Sequence, residues 1–112
     1  MMDQVDRYRA IVRRLIEEYA SYRPAYGDVR TEAVIDREHD HYEVMQVGWK
    51  GERRIHGSVI HIDIRDGKVW IEYNGTDAEI GAELVAAGIP KEDIVLGFQP
   101  AEIRPLTGYG AP

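Results

Sequence analysis

Between the alternating runs VIHIDIR and KVWIEYN stands the dipeptide Asp66-Gly67. Asp-Gly supplies two neighbouring residues that tolerate positive φ, the demand of a two-residue type I′ turn, and it is the strongest short hairpin signal available. The turn fixes a register: Arg65 faces Lys68, Ile64 faces Val69, Asp63 faces Trp70, Ile62 faces Ile71, His61 faces Glu72 and Ile60 faces Tyr73. Side chains alternate across a strand, so the register also sorts the faces. One face carries Ile60, Ile62, Ile64, Val69, Ile71 and Tyr73 and reads as core. The other carries Val59, His61, Asp63, Trp70 and Glu72. His56 has core-side parity unless a bulge near Gly57 turns it.

The period of two extends back to Val29 and predicts four strands, at 29–36, 41–49, 54–65 and 68–73, joined as an antiparallel meander. Ahead of them, residues 3–22 place Val5, Tyr8, Val12, Leu15, Tyr19 and Tyr22 on one helical stripe, with Ile11 and Ile16 beside it. Asp3 reads as the N-cap, Pro24 ends the helix, and RPAYGD reads as a turn-rich link. After the meander, Thr76 and Glu79 fit a capping box that opens a second helix to about Ala87, with Ile80, Leu84 and Val85 as its buried stripe. Gly88 suits the C′ position and Pro90 blocks further helix. PKEDIVLGF predicts one more turn and a short apolar segment docked on the core; residues 99–112 read as an extended tail. The fold class is α+β in one domain, 1–112: helix, four-stranded antiparallel meander sheet, second helix, extended C-terminal tail.

A three-residue loop Gly51-Glu52-Arg53 would set Tyr42 and Val44 on the core side and Glu43, Met45, Val47 and Trp49 on the side of His61. The second face then mixes Trp49, Trp70, Met45, Val47 and Val59 with His41, Glu43, His61, Asp63 and Glu72. That is too apolar for open water and too polar for a core, so something covers it. A helix or the tail of the same chain is one candidate cover; another protein is the other, since tryptophan is enriched at interface hot spots. The candidate partner-binding residues are Trp49, His61, Asp63, Trp70, Glu72 and Met45.

The chain has no cysteine, so disulfides, thiolate nucleophiles and thiolate metal sites are excluded. A net charge of −6 argues against broad nucleic-acid binding. Lys50, Arg53 and Arg54 are the best basic cluster and support only a weak direct DNA-binding alternative. His61 opposite Glu72 resembles a general base held by a carboxylate, but Ser21 and Ser58 lack a Gly-x-Ser-x-Gly context and no phosphate-loop glycines precede a helix. A cross-strand polar pair explains His61 and Glu72 better. Parity argues against a His56–His61–Asp63 metal triad. A set of His41, His61 and Asp63 is geometrically open to a metal, yet such scatter is common on sheets, and neither a metal nor a cofactor is expected. A small hydrolase or ligand-binding domain using His61, Asp63 and Glu72 is the enzymatic alternative. With no long apolar run and an N-terminus bearing acidic residues, neither a membrane span nor a secretory signal is expected, which fits a cytoplasmic protein.

The segments YRPAYGDV, DHYEVMQVGWKGERRIHGSVIHIDIRDGKVWIEYNGT and ELVAAGIPKEDIVLGF, in this order, closely resemble the XisI family, the fdxN element excision controlling factor proteins best known from cyanobacteria. The positions matching its motif are Gly48, Trp49, His56, Gly57, His61, Asp63, Gly67, Trp70 and Gly75. The resemblance implies an accessory protein of site-specific excision of a DNA element, in a system where a separate recombinase does the strand chemistry. It also implies a protein partner, the nuclease-like companion XisH. It supplies no catalytic residues. The expectation is a non-catalytic controlling factor that binds an XisH-like protein, with homo-oligomerisation left open.

Overall fold

The structure, a computed structural model, describes residues 3–24 and 27–112. The chain runs α1 (Gln4–Ala20), β1 (Asp28–Asp36), β2 (His41–Lys50), β3 (Arg53–Arg65), β4 (Lys68–Asn74), α2 (Ile80–Ala86) and β5 (Ile94–Leu96), with 3-10 turns at Lys91–Asp93 and Arg104–Leu106. The turn-rich link between α1 and β1 falls in part on residues 25 and 26, outside the described residues.

The strands form one sheet in the order β1-β2-β3-β4-β5. Its first four members are the expected antiparallel meander. The fifth corrects the expectation: β5 pairs parallel with β4, Val69 opposite Ile94 and Ile71 opposite Leu96, so the sheet is five-stranded and mixed. α2 carries the chain back across the sheet, and a strand reached by such a crossover runs parallel. Ile94-Val95-Leu96 is too short a run to display a period, so it reads only as an apolar segment.

Asp3 caps α1, its carboxylate accepting the Asp6 N–H at 2.8 Å. The helix lays Tyr8, Val12, Leu15 and Ile16 on Tyr42, Val44, Ile60, Ile62, Ile64, Val69 and Ile71, and α2 and its exit add Ile80, Leu84, Ile89 and Ile94 to the same core. Tyr22 lies beyond the helix end, exposed, with its ring edge-on to Tyr19. Asp93, entering β5, accepts hydrogen bonds from the Tyr8 hydroxyl and the Gln4 amide and lies 3.4 Å from the Lys68 ammonium, tying α1 to both strands of the parallel pair.

Asp66 and Gly67 have φ of 53° and 74°, as a type I′ turn requires, and Arg65 pairs with Lys68. Two bulges then adjust the predicted register. The β2–β3 turn is Gly51-Glu52, one residue tighter than expected, and Val59 bulges out of β3 between the Met45–Ser58 and Val44–Ile60 pairs. An inserted residue reverses face parity beyond it. Val59 therefore packs toward the core instead of the outer face, and His56, opposite Val47, is exposed on the outer side. The second bulge is at Glu72: His61 pairs with Tyr73 and Ile62 with Ile71. Tyr73, expected in the core, is 50% exposed as a result.

α2 begins later than its predicted capping box. The Asn74 side-chain oxygen accepts from the Thr76 N–H and hydroxyl, and Thr76 Oγ1 accepts the Ala78 N–H. These local bonds compete with helix, which starts at Ile80 after an N-cap, Glu79, without a side-chain bond. The other end follows expectation: Gly88 has φ 117°, and Ile89 donates to the Leu84 carbonyl at 3.1 Å, a Schellman closure. The tail does not extend away. Gly110 lies beside Val95 and donates to the Ile94 carbonyl at 2.7 Å, while Arg104 donates to the Gln99 and Pro112 carbonyls at 3.0 and 2.8 Å.

Candidate functional site

α1 covers one face of the sheet, and the candidate residues stand on the other. His41 and Glu43 leave β2 on that outer face, and His61 and Asp63 leave β3 beside them. The register pairs His41 with Asp63 and Glu43 with His61, so an antiparallel His-x-Glu and His-x-Asp set a histidine against a carboxylate twice. Asp63 Oδ1 is 2.7 Å from His41 Nδ1 and 2.7 Å from His61 Nε2. The other nitrogen of His61, Nδ1, lies 3.9 Å from Glu43 Oε1. The Asp63 side chain is only 13% exposed, whereas that of His41 is 54% exposed. The hydrogen bond and charge of Asp63 raise the His41 pKa above its ordinary value, because the imidazolium is the form the carboxylate favours.

Trp70 occupies the β4 side of the same face and is 6% exposed. The Arg65 guanidinium lies 3.8 Å from its ring centroid and that of Arg104, from the tail, 5.2 Å. The chain's own tail thus covers this end of the face, and Trp70 is not a surface residue. Glu72, carried out of register by its bulge, lies with its carboxylate against Gly97, where an added Cβ would collide with it. The expected His61–Glu72 pair is replaced by His61 with Glu43 and Asp63.

Trp49 sits at the far end of β2, 48% exposed, with Arg54 opposite it and that guanidinium 5.2 Å from its ring. Met45, half-buried, lies on β2 between Trp49 and the histidine–carboxylate square. The structure therefore brings His61 and Asp63 together, adds His41 and Glu43, and separates Trp49 and Trp70 along the length of β3, opposite Arg54 and Asp63 respectively. The three-residue loop expected between β2 and β3 already put Glu43 on the face of His61; the turn is one residue shorter, and the Val59 bulge restores the same parity. Arg104 carried no such signal; its role depends on how the tail folds back.

Two rival chemistries find different support. The Ser58 hydroxyl donates to the Ile60 carbonyl at 3.1 Å, away from either histidine bond. Two of the four arginines of α1, and one of the β1–β2 turn, pair with carboxylates: Arg9 with Asp6 and Asp40, Arg13 with Glu17, Arg37 with Asp6; Arg7 and Arg14 of α1 take part in none of these pairs. That pairing offsets part of the positive charge of the helix, and the Lys50, Arg53 and Arg54 turn is a separate basic patch. Among the described residues, no helix is long and apolar enough to cross a membrane.

The profile described as XisI protein matches residues 2–111. The chain belongs to the XisI family. A XisI-like protein from Anabaena variabilis ATCC 29413 is similar over 98% of this chain and 100% of its own, at 44% identity and a TM-score of 0.91. The fdxN element excision controlling factor XisI from the same organism is similar over 98% and 100%, at 32% identity and a TM-score of 0.84. No curated protein matches. One motif position of the XisI resemblance has a packing reason here: Gly48 lies opposite Val29, and a Cβ on it would stand 2.7 Å from Val29 Cα.

Proposed function

We propose that this XisI-family protein is a non-catalytic, cytoplasmic controlling factor of site-specific DNA-element excision, acting by binding an XisH-like protein. The observation that carries the reading is the end-to-end similarity to the fdxN element excision controlling factor XisI. The outer sheet face supplies the contact surface. Trp49 offers a half-exposed aromatic flanked by Arg54, Met45 lies next along β2, and His61 and Asp63 form a polar border. An exposed aromatic with a polar surround is the usual anatomy of an interface anchor. Glu72 contributes at the edge, and Trp70 contributes only indirectly, by fixing the tail beside the interface.

The test is co-purification with the XisH-like protein of the same source, with mass and stoichiometry read by light scattering. A complex of defined stoichiometry is expected. Separate elution, with this chain as a lone monomer or homodimer, would contradict the proposal.

A further inference from the structure

We propose that His41, His61 and Asp63 form a binding site for a divalent first-row transition metal of the zinc class. The case begins with convergence. His41 Nδ1 and His61 Nε2 both point at one oxygen of Asp63, each at 2.7 Å, and the three ligand atoms lie within 4.8 Å of one another. Zinc holds histidine nitrogen at about 2.0–2.1 Å and carboxylate oxygen at about 2.0–2.2 Å, which in a tetrahedron sets neighbouring ligand atoms about 3.4 Å apart. The two nitrogen–oxygen separations of 2.7 Å need to open by about 0.7 Å, within reach of side-chain rotation, and the ion replaces the protons now shared between imidazole and carboxylate.

The second observation is independent of those three ligands. The nitrogen of His61 that does not face Asp63 lies 3.9 Å from the Glu43 carboxylate, its cross-strand neighbour. A metal-ligating histidine ordinarily gives its other N–H to a carboxylate, which fixes its tautomer and strengthens it as a ligand; at 3.9 Å Glu43 is outside hydrogen-bond distance and must swing closer to accept that N–H. The carboxylate ligand is itself held, since Asp63 is mostly buried in the sheet surface while His41 remains open to solvent. All four side chains stand on paired strands rather than loops, which suits precise ligand placement. Two imidazoles with one carboxylate select borderline metals over calcium or magnesium, which prefer all-oxygen shells. Three protein ligands also leave a coordination position facing outward from the sheet, for water or an external group. Binding at this site requires no partner protein and does not depend on the excision reading.

The test is a zinc chloride titration of the full chain, freed of any affinity tag, against a competing chromophoric chelator, with histidine ring resonances followed by NMR. One zinc per chain is expected, with the His41 and His61 resonances shifting together. His41→Ala, at a solvent-exposed ring, should abolish this binding while the fold persists; Glu43→Gln should weaken it about 10-fold. His39→Ala, at the exposed His39–Asp36 pair 2.9 Å apart, should leave it unchanged. Absence of stoichiometric binding, or binding that survives His41→Ala or is lost with His39→Ala, would overturn the site.

Discussion

Trp49 and Trp70 look equivalent in the sequence, and the structure gives them opposite roles. Alternation places both on the outer face, but it reports the face and not its cover. Trp70 is buried under Arg65 and Arg104, so Trp70→Ala should cost about 3–5 kcal/mol in denaturant unfolding, in the range of large aromatic truncations. Trp49 is half-exposed, and Trp49→Ala should stay within about 0.5 kcal/mol of the parent. Equal losses at the two positions would contradict this division. Gly48 offers a sharper steric case. A methyl group there meets the backbone of Asp28 and Val29, so Gly48→Ala should destabilise by about 1–3 kcal/mol and raise amide exchange in β1 before the rest of the sheet.

Between elements, an acid-sensitive contact joins α1 to the β1–β2 turn. Arg9 donates from Nε and an NH2 group to the two Asp40 oxygens at 2.8 and 3.0 Å, and the Tyr42 hydroxyl donates to Asp40 at 2.9 Å. Arg9 foremost, against the opposing effect of burial, holds the Asp40 carboxyl below its usual range, while burial pushes the Tyr42 hydroxyl up to about 12. A carboxylate with a depressed folded pKa stabilises fully above its unfolded value, about 4, and that contribution disappears as pH falls through the folded value. Asp40→Asn keeps a residue tolerant of the φ of 58° found there. It should lower stability at pH 7 by about 1–3 kcal/mol and flatten the acid limb below about pH 4, read by thermal melts across pH. At this same scale the sequence was most readable. Asp66-Gly67, the alternation of Ile60, Ile62 and Ile64, and Asp3 each encode their element locally. The bulges at Val59 and Glu72 did not show, because an inserted residue leaves the apolar count intact and only reverses what lies beyond. Thr76 misled for a related reason: the same hydroxyl serves a capping box or a turn, and Asn74 decides.

Across the whole molecule, what the sequence could not show depends on contacts between distant segments. β5 is three residues long and gains its identity from the exposed edge of β4; the tail gains its shape from Val95 and Trp70. Removing residues 98–112 should therefore uncover Trp70, costing about 1.5–3 kcal/mol and shifting tryptophan emission to the red. An unchanged spectrum and melting temperature would mean that the tail is not the cover. The outer face is then divided: one end closed by the chain itself, the centre a histidine–carboxylate square, the other end open around Trp49. On the proposed function, the open end receives an XisH-like protein. The most direct measurement is a calorimetric titration of that protein with the wild-type chain and with Trp49→Ala, after both are shown to be folded. A saturable complex is expected with the wild type and at least a 30-fold loss with Trp49→Ala, the hot-spot range of about 2 kcal/mol. Equal affinity for the two chains, or no heat of binding with either, would contradict it.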